Sequence, residues 1–182
     1  NKEQRGFIKP SEFNMLAKRA QLDVLKEKVG KVSPAGSVIG FKDSSQMYDE
    51  LYPVMVFETS LTVSGDLFTL PADYLHFISL KFGEISVEVV SLGELNSRRN
   101  SSLLMPSTTY PIAVIESSGI RVFTSFGGTS NTSSELKLTY IKKPSDPNWA
   151  FNIVNNIEIY NSSNATQITL SDSTHKEIAN RI

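Results

Sequence analysis

Apolar positions change their spacing twice along the chain. From Ser11 to Val29 they fall at Phe13, Leu16, Ala17, Ala20 and Val24, the three-and-four spacing of one helical face. A helix over 11–29 follows, with Ser11 as its N-cap, Glu12 in its first turn and Gly30 as its stop; Lys26, Lys28 and Lys31 sit where the helix dipole favours cations. Leu22, Leu25 and Val29 widen the apolar surface beyond a single stripe. The helix therefore has two sides to cover: Phe13, Leu16 and Ala20 are the candidates for the chain's own core, and a partner subunit is one candidate for the second contact.

Residues 32–46 are rich in Ser, Gly and Pro and read as a connection. A short helix through Met47, Tyr48 and Leu51 is then stopped by Pro53. From Val54 the period drops towards two. Strand pairs flank Ser64-Gly65-Asp66 and Gly83-Glu84, and further strands are predicted at 111–116, 120–124 and 136–141. The box Ser91-x-x-Glu94 opens a short helix to about Arg99. Near the end a strand through Ile168 and Leu170 gives way to a helix from about Ser173, with Thr174-x-x-Glu177 as a second box.

These elements define an α+β fold: N- and C-terminal helices form a helical layer, and an antiparallel β-sandwich or barrel-like body is inserted between them. The helical part covers 1–53 with 172–182, and the β-rich body covers 54–171.

In LKLTYIKKPSDPNW, residues 136–149, alternation sets Leu136, Leu138 and Tyr140 on a buried face opposite Lys137 and Thr139. Pro144 and Pro147 lack the N–H that a ladder needs, so the chain leaves the sheet there. The only tryptophan, Trp149, is carried round that corner as an anchor. It either pins the returning chain against the core or packs into the next subunit of an assembly.

The chain has 182 residues, enough for one domain or a domain with a large insertion. Hydrophobic residues at 40% and charged residues at 20% fit a globular protein. With 18 basic and 19 acidic side chains the net charge is -1, so no global footprint for nucleic acid or anionic membrane exists. No apolar run approaches the ~20 residues of a membrane span. Zero cysteines exclude disulfides and thiolate chemistry.

Catalytic patterns are missing from the sequence. His76 and His175 lie outside metal-ligand spacings, the acidic residues are scattered, and the glycine-bearing loop 126–134 lacks the lysine of a phosphate loop. No enzyme activity, metal or cofactor is expected. Two basic pairs, Arg98-Arg99 and Lys142-Lys143, are either a charged rim that keeps a sheet edge soluble or contacts to DNA phosphates.

Four stretches, FNMLAKRAQLDVLKE in the first helix, LPADYLHFISL at 70–80, VEVVSLGELNSRRNSSLLMPSTTYPIAV at 87–114 and LKLTYIKKPSDPNWAF, resemble ring-shaped connector proteins of short-tailed bacteriophages. The likeness is to head-to-tail ring proteins of crAss-like phages, and more distantly to podovirus tail tubular or adaptor proteins. It implies a structural virion protein, typically in twelve copies, forming a ring at the portal-tail junction after assembly in the host bacterial cytoplasm. The implied partners are other copies of the chain, the portal protein and further tail or ring proteins. DNA passes through the channel without sequence-specific binding, and no membrane is involved. On this reading Leu22, Leu25, Val29 and Trp149 are the interface candidates, and Arg98, Arg99, Lys142 and Lys143 the candidate channel contacts. The other reading is a β-sandwich module of a phage tail that binds a glycan or receptor; exposed aromatics on one sheet face would favour it.

Overall fold

A computed structural model describes residues 8–30, 48–101, 103–125, 136–155 and 157–182. The fold is α+β, and contacts divide it into two compact units, 1–54 with 143–182, and 55–142. The expected body extended to residue 171, but 143–171 group with the helical unit; the division falls where Pro144 and Pro147 end ladder pairing.

In the helical unit, α1 spans Pro10–Gly30. Its first residue is proline, whose missing N–H costs nothing at that position. Ser11 is therefore inside the helix rather than its cap: the Lys9 carbonyl accepts from the Phe13 N–H, and Glu12 reaches back to the Lys9 N–H at 3.3 Å. Residues 48–51 are helical and continue into a 3-10 turn, Tyr52–Val54, that contains Pro53. At the C-terminal end α3, Asp172–Ala179, packs against α1. Ser171 occupies its N-cap position, so Thr174 lies within the helix and its hydroxyl donates to the Ser171 carbonyl at 2.7 Å. The strand expected through Ile168 and Leu170 is not formed; pairing there is a single bridge between Asn148 and Thr166.

The same unit holds an unforeseen hairpin. β10 (Phe151–Val154) and β11 (Ile157–Tyr160) pair only with each other, and Asn155 takes φ +50 at the turn, which asparagine tolerates better than most residues.

The second unit contains two sheets. One has the order β1-β9-β4-β5 (Met55–Ser60, Leu136–Lys142, Tyr74–Phe82, Ile85–Ser86). The other has the order β2-β3-β8-β7-β6 (Val63–Ser64, Leu67–Phe68, Gly119–Phe123, Ile112–Glu116, Glu88–Val89). Both predicted hairpin turns are present, with Gly65 at φ 64 and Gly83 at φ 59.

At each edge the chain steps from one sheet to the other, between β1 and β2 and between β5 and β6. The corner residues Leu61 and Val87 are buried there, and their N–H groups still bond back to the first sheet, to the Leu136 and Leu80 carbonyls. The result is a sandwich with strand corners, not a closed barrel. Leu80, Leu136, Leu138 and Tyr140 from the first sheet meet Phe68, Ala113, Ile120 and Val122 from the second in one core.

Alternation on β7 and β8 serves two layers at once. Ala113, Ile120 and Val122 point into that core, whereas Ile112, Val114 and Phe123 face outward and cluster with Val90, just before α2 (Leu92–Arg99), and with Leu95 on it. α2 starts as predicted, with the Ser91 hydroxyl accepting from the Glu94 N–H at 3.2 Å. It supplies the crossover that lets β6 pair in parallel with β7, an exception to the antiparallel expectation. On β9 the expectation of one buried face is corrected too: Thr139 and Ile141 on the opposite face are also buried.

Candidate subunit interface and basic pairs

Within the helical unit the interface candidates separate by their angle on α1. At about 100° per residue, the buried positions Pro10, Ala17, Ala20, Gln21, Val24 and Leu25 occupy an arc of roughly 140°. Leu25 falls inside that arc and has no exposed surface, so its assignment to a neighbouring copy is corrected: it belongs to this chain's interior. Leu22 and Val29 are half-buried at the rim. Met15, seven residues before Leu22, shares their angular position and is exposed, which extends the stripe by a residue the sequence reading passed over.

Trp149 is held from two directions. Its ring stands edge-on to Phe13 with centroids 5.4 Å apart, and its backbone N–H donates to Asn14 Oδ1 at 2.6 Å. Asn14 Nδ2 in turn donates to Asn148 Oδ1 at 2.9 Å. The tryptophan pins the returning chain onto α1 while part of its ring stays exposed.

Two turns further along α1, the buried Gln21 donates from Nε2 to the Ser145 carbonyl and accepts at Oε1 from the Thr169 N–H, both at 2.9 Å. A polar side chain within the apolar arc of a helix was the available signal for this bridge. Charge completes the unit. Lys28 Nζ lies 2.8 Å from Glu50 and 3.5 Å from Glu177, and Arg181 spans Glu27 and Glu177 at 2.6 and 2.8 Å. The hydrogen bond to Glu50 raises the Lys28 pKa, against the opposing effect of burial.

In the sheet unit Arg98 is already committed. Its guanidinium forks onto Glu88 at 2.5 and 2.8 Å and reaches Glu94 at 2.6 Å, so its charge is more than balanced locally. The same bonds hold the Glu88 pKa below the ordinary carboxylate value. As a phosphate contact Arg98 is therefore a correction. Arg99 lies with its guanidinium 4.6 Å from the centre of the Phe123 ring, a cation–π contact on the outer face of the second sheet. Lys142 ends β9 half-buried and Lys143 is exposed; among the described residues neither forms an ion pair.

Beside the Arg98–Glu88 fork is a cavity of about 310 Å³ whose mouth carries Leu103, Leu104, Met105 and Tyr110. Among the described residues no cluster of His, Asp and Glu is placed to hold a metal ion, and no helix is long and apolar enough to cross a membrane. His175 Nε2 is 3.0 Å from the Leu170 carbonyl, a local contact at the start of α3. Loop 126–134 lies outside the described residues, as does the connection 32–46.

No family model matches the chain, and no curated protein matches it.

Proposed function

We propose that this chain is a structural virion subunit: a homo-oligomeric ring that joins the portal vertex to the tail of a short-tailed bacteriophage and surrounds the DNA channel. The observation that carries the reading is the order of parts. Helices from the two ends of the chain, α1 and α3, pack together in one unit, and the sheet unit is inserted between them in sequence, as the resemblance to connector rings implies.

The half-exposed stripe of Met15, Leu22 and Val29 supports it as apolar surface that a neighbouring copy can cover. Lys142 and Lys143 are the DNA-facing candidates that remain once Arg98 is assigned to its carboxylates and Arg99 to the Phe123 ring. Their role would be non-specific and screened by salt. No reaction belongs to this reading.

Copy number in purified particles tests it. Quantitative peptide mass spectrometry of virions should give this chain in a one-to-one ratio with the portal protein; absence from particles, or an abundance matching the capsid protein, would overturn the proposal.

A further inference from the structure

An isolated two-stranded hairpin is marginal in water, and β10–β11 is apolar on both faces. Cross-strand pairing puts Phe151, Tyr160 and Ile153 on one side and Ile159, Val154 and Ile157 on the other. Most of this is exposed, including 67% of Ile153 and 64% of Ile157. Glu158 is the only charged side chain from Phe151 to Tyr160.

The sheet unit carries a second patch of the same kind. Leu103 is 92% exposed and Tyr110 76%, with Leu104 and Met105 beside them at the mouth of the 310 Å³ cavity. No charged residue occurs between Ser101 and Pro111. Depletion of charge around exposed large apolar groups is the compositional mark of an interface centre.

Each patch offers roughly 500 Å² of apolar surface, within what a lone monomer can carry. Each is also short of the ~800 Å² that a partner contributes to a standard interface. A foreign protein covering one patch would leave the other in water. A second copy of this chain covers both kinds at once, because the hairpin of one subunit then meets the loop of the next, and each contact takes roughly 500 Å² from either copy, about 1,000 Å² in total, the lower bound for a specific interface. Two different surfaces meeting in this way make a heterologous contact, which closes into a ring when the rotation allows.

We infer that the β10–β11 hairpin of one copy docks against the Leu103–Tyr110 loop and its cavity on the next copy. This rests on the ring reading and specifies the contact that builds the ring.

Two variants test it: Ile153→Asp with Ile157→Asp disables the hairpin, and Leu103→Asp with Leu104→Asp disables the loop. These are exposed positions, and circular dichroism should show both variants folded. In native mass spectrometry each alone should be monomeric. Mixed, they retain one intact hairpin and one intact loop, so they should give a one-to-one heterodimer and nothing larger.

The chain lacks cysteine, so a mixture of Ile157→Cys and Leu103→Cys chains should also yield a disulfide-linked species of twice the monomer mass. Should the aspartate variants still form rings, or the mixed cysteine chains fail to link, the docking contact is wrong while the ring reading stands. An unsubstituted chain that never assembles would overturn both.

Discussion

Replacing Gln21 with alanine removes a bridge between α1 and two segments more than a hundred residues away in sequence, the Ser145 carbonyl and the Thr169 N–H. Gln21 is 1% exposed, so its amide is not exchanging these partners for water. An unpaired backbone group costs about 1–3 kcal/mol when buried. Ser145 is exposed and water can satisfy its carbonyl, whereas Thr169 is half-buried and recovers less. With the lost packing of the side chain, the expected destabilisation is about 2–3 kcal/mol.

The only tryptophan, Trp149, lies in the same unit and reports its unfolding in urea by fluorescence. The midpoint should fall with little change in slope, and the Thr169 amide should exchange faster. Gln21→Glu provides an internal control with a pH signature. Its carboxylate can accept from Thr169 but cannot donate to Ser145, and burial raises its pKa, so the folded state holds the proton longer and stability should fall as pH rises above the ordinary glutamate range. A Gln21→Ala loss below about 0.5 kcal/mol, with Thr169 protection unchanged, would refute the bridge as a structural element.

Three other perturbations probe the sheet unit. A Cβ on Gly119 would stand 2.5 Å from the Phe68 backbone carbonyl oxygen, so Gly119→Ala should cost about 3 kcal/mol in thermal or urea unfolding, and a wild-type midpoint would contradict the β3–β8 packing. Tyr140 is buried and donates to Asp73 at 2.9 Å, which pushes its pKa up to about 12; in an ultraviolet titration it should ionise after exposed tyrosines, and Tyr140→Phe should remove that late step at a cost of about 1 kcal/mol. Burial lowers the His76 pKa below 6.5, so the unfolded chain binds the extra proton first; stability should fall as pH drops from 7 through 6, and His76→Asn should flatten that part of the profile.

How far the sequence discloses these features depends on how local their causes are. α1, the turns at Gly65 and Gly83, and the Ser91 cap follow from spacing, positive φ and one side-chain bond, all contained in a few residues. The hairpin β10–β11 shows only four-residue strands around Asn155, and because both faces are apolar they lack the period-two alternation that marks a half-buried strand. Leu25 falls outside a single core-facing stripe because the buried arc of α1 is roughly 140° wide, broader than sequence spacing alone delimits. Arg98 gave no sequence sign of its partner Glu88, ten residues earlier on a different element. Gln21 could be noticed as polar within an apolar arc, but its partners come from the far end of the chain. Thr139 is buried because its hydroxyl accepts from the Glu58 N–H at the β1 bulge, a contact set by sheet register and not by β9 alone.

The most direct test of the ring account is native mass spectrometry of the purified chain, joined to electron microscopy of the same sample. The account predicts one dominant closed assembly of many copies, with twelve expected from the connector resemblance, seen end-on as a ring with an open centre. A chain that stays monomeric or forms only closed dimers across concentration and salt, and also fails to form rings on the portal, would contradict it.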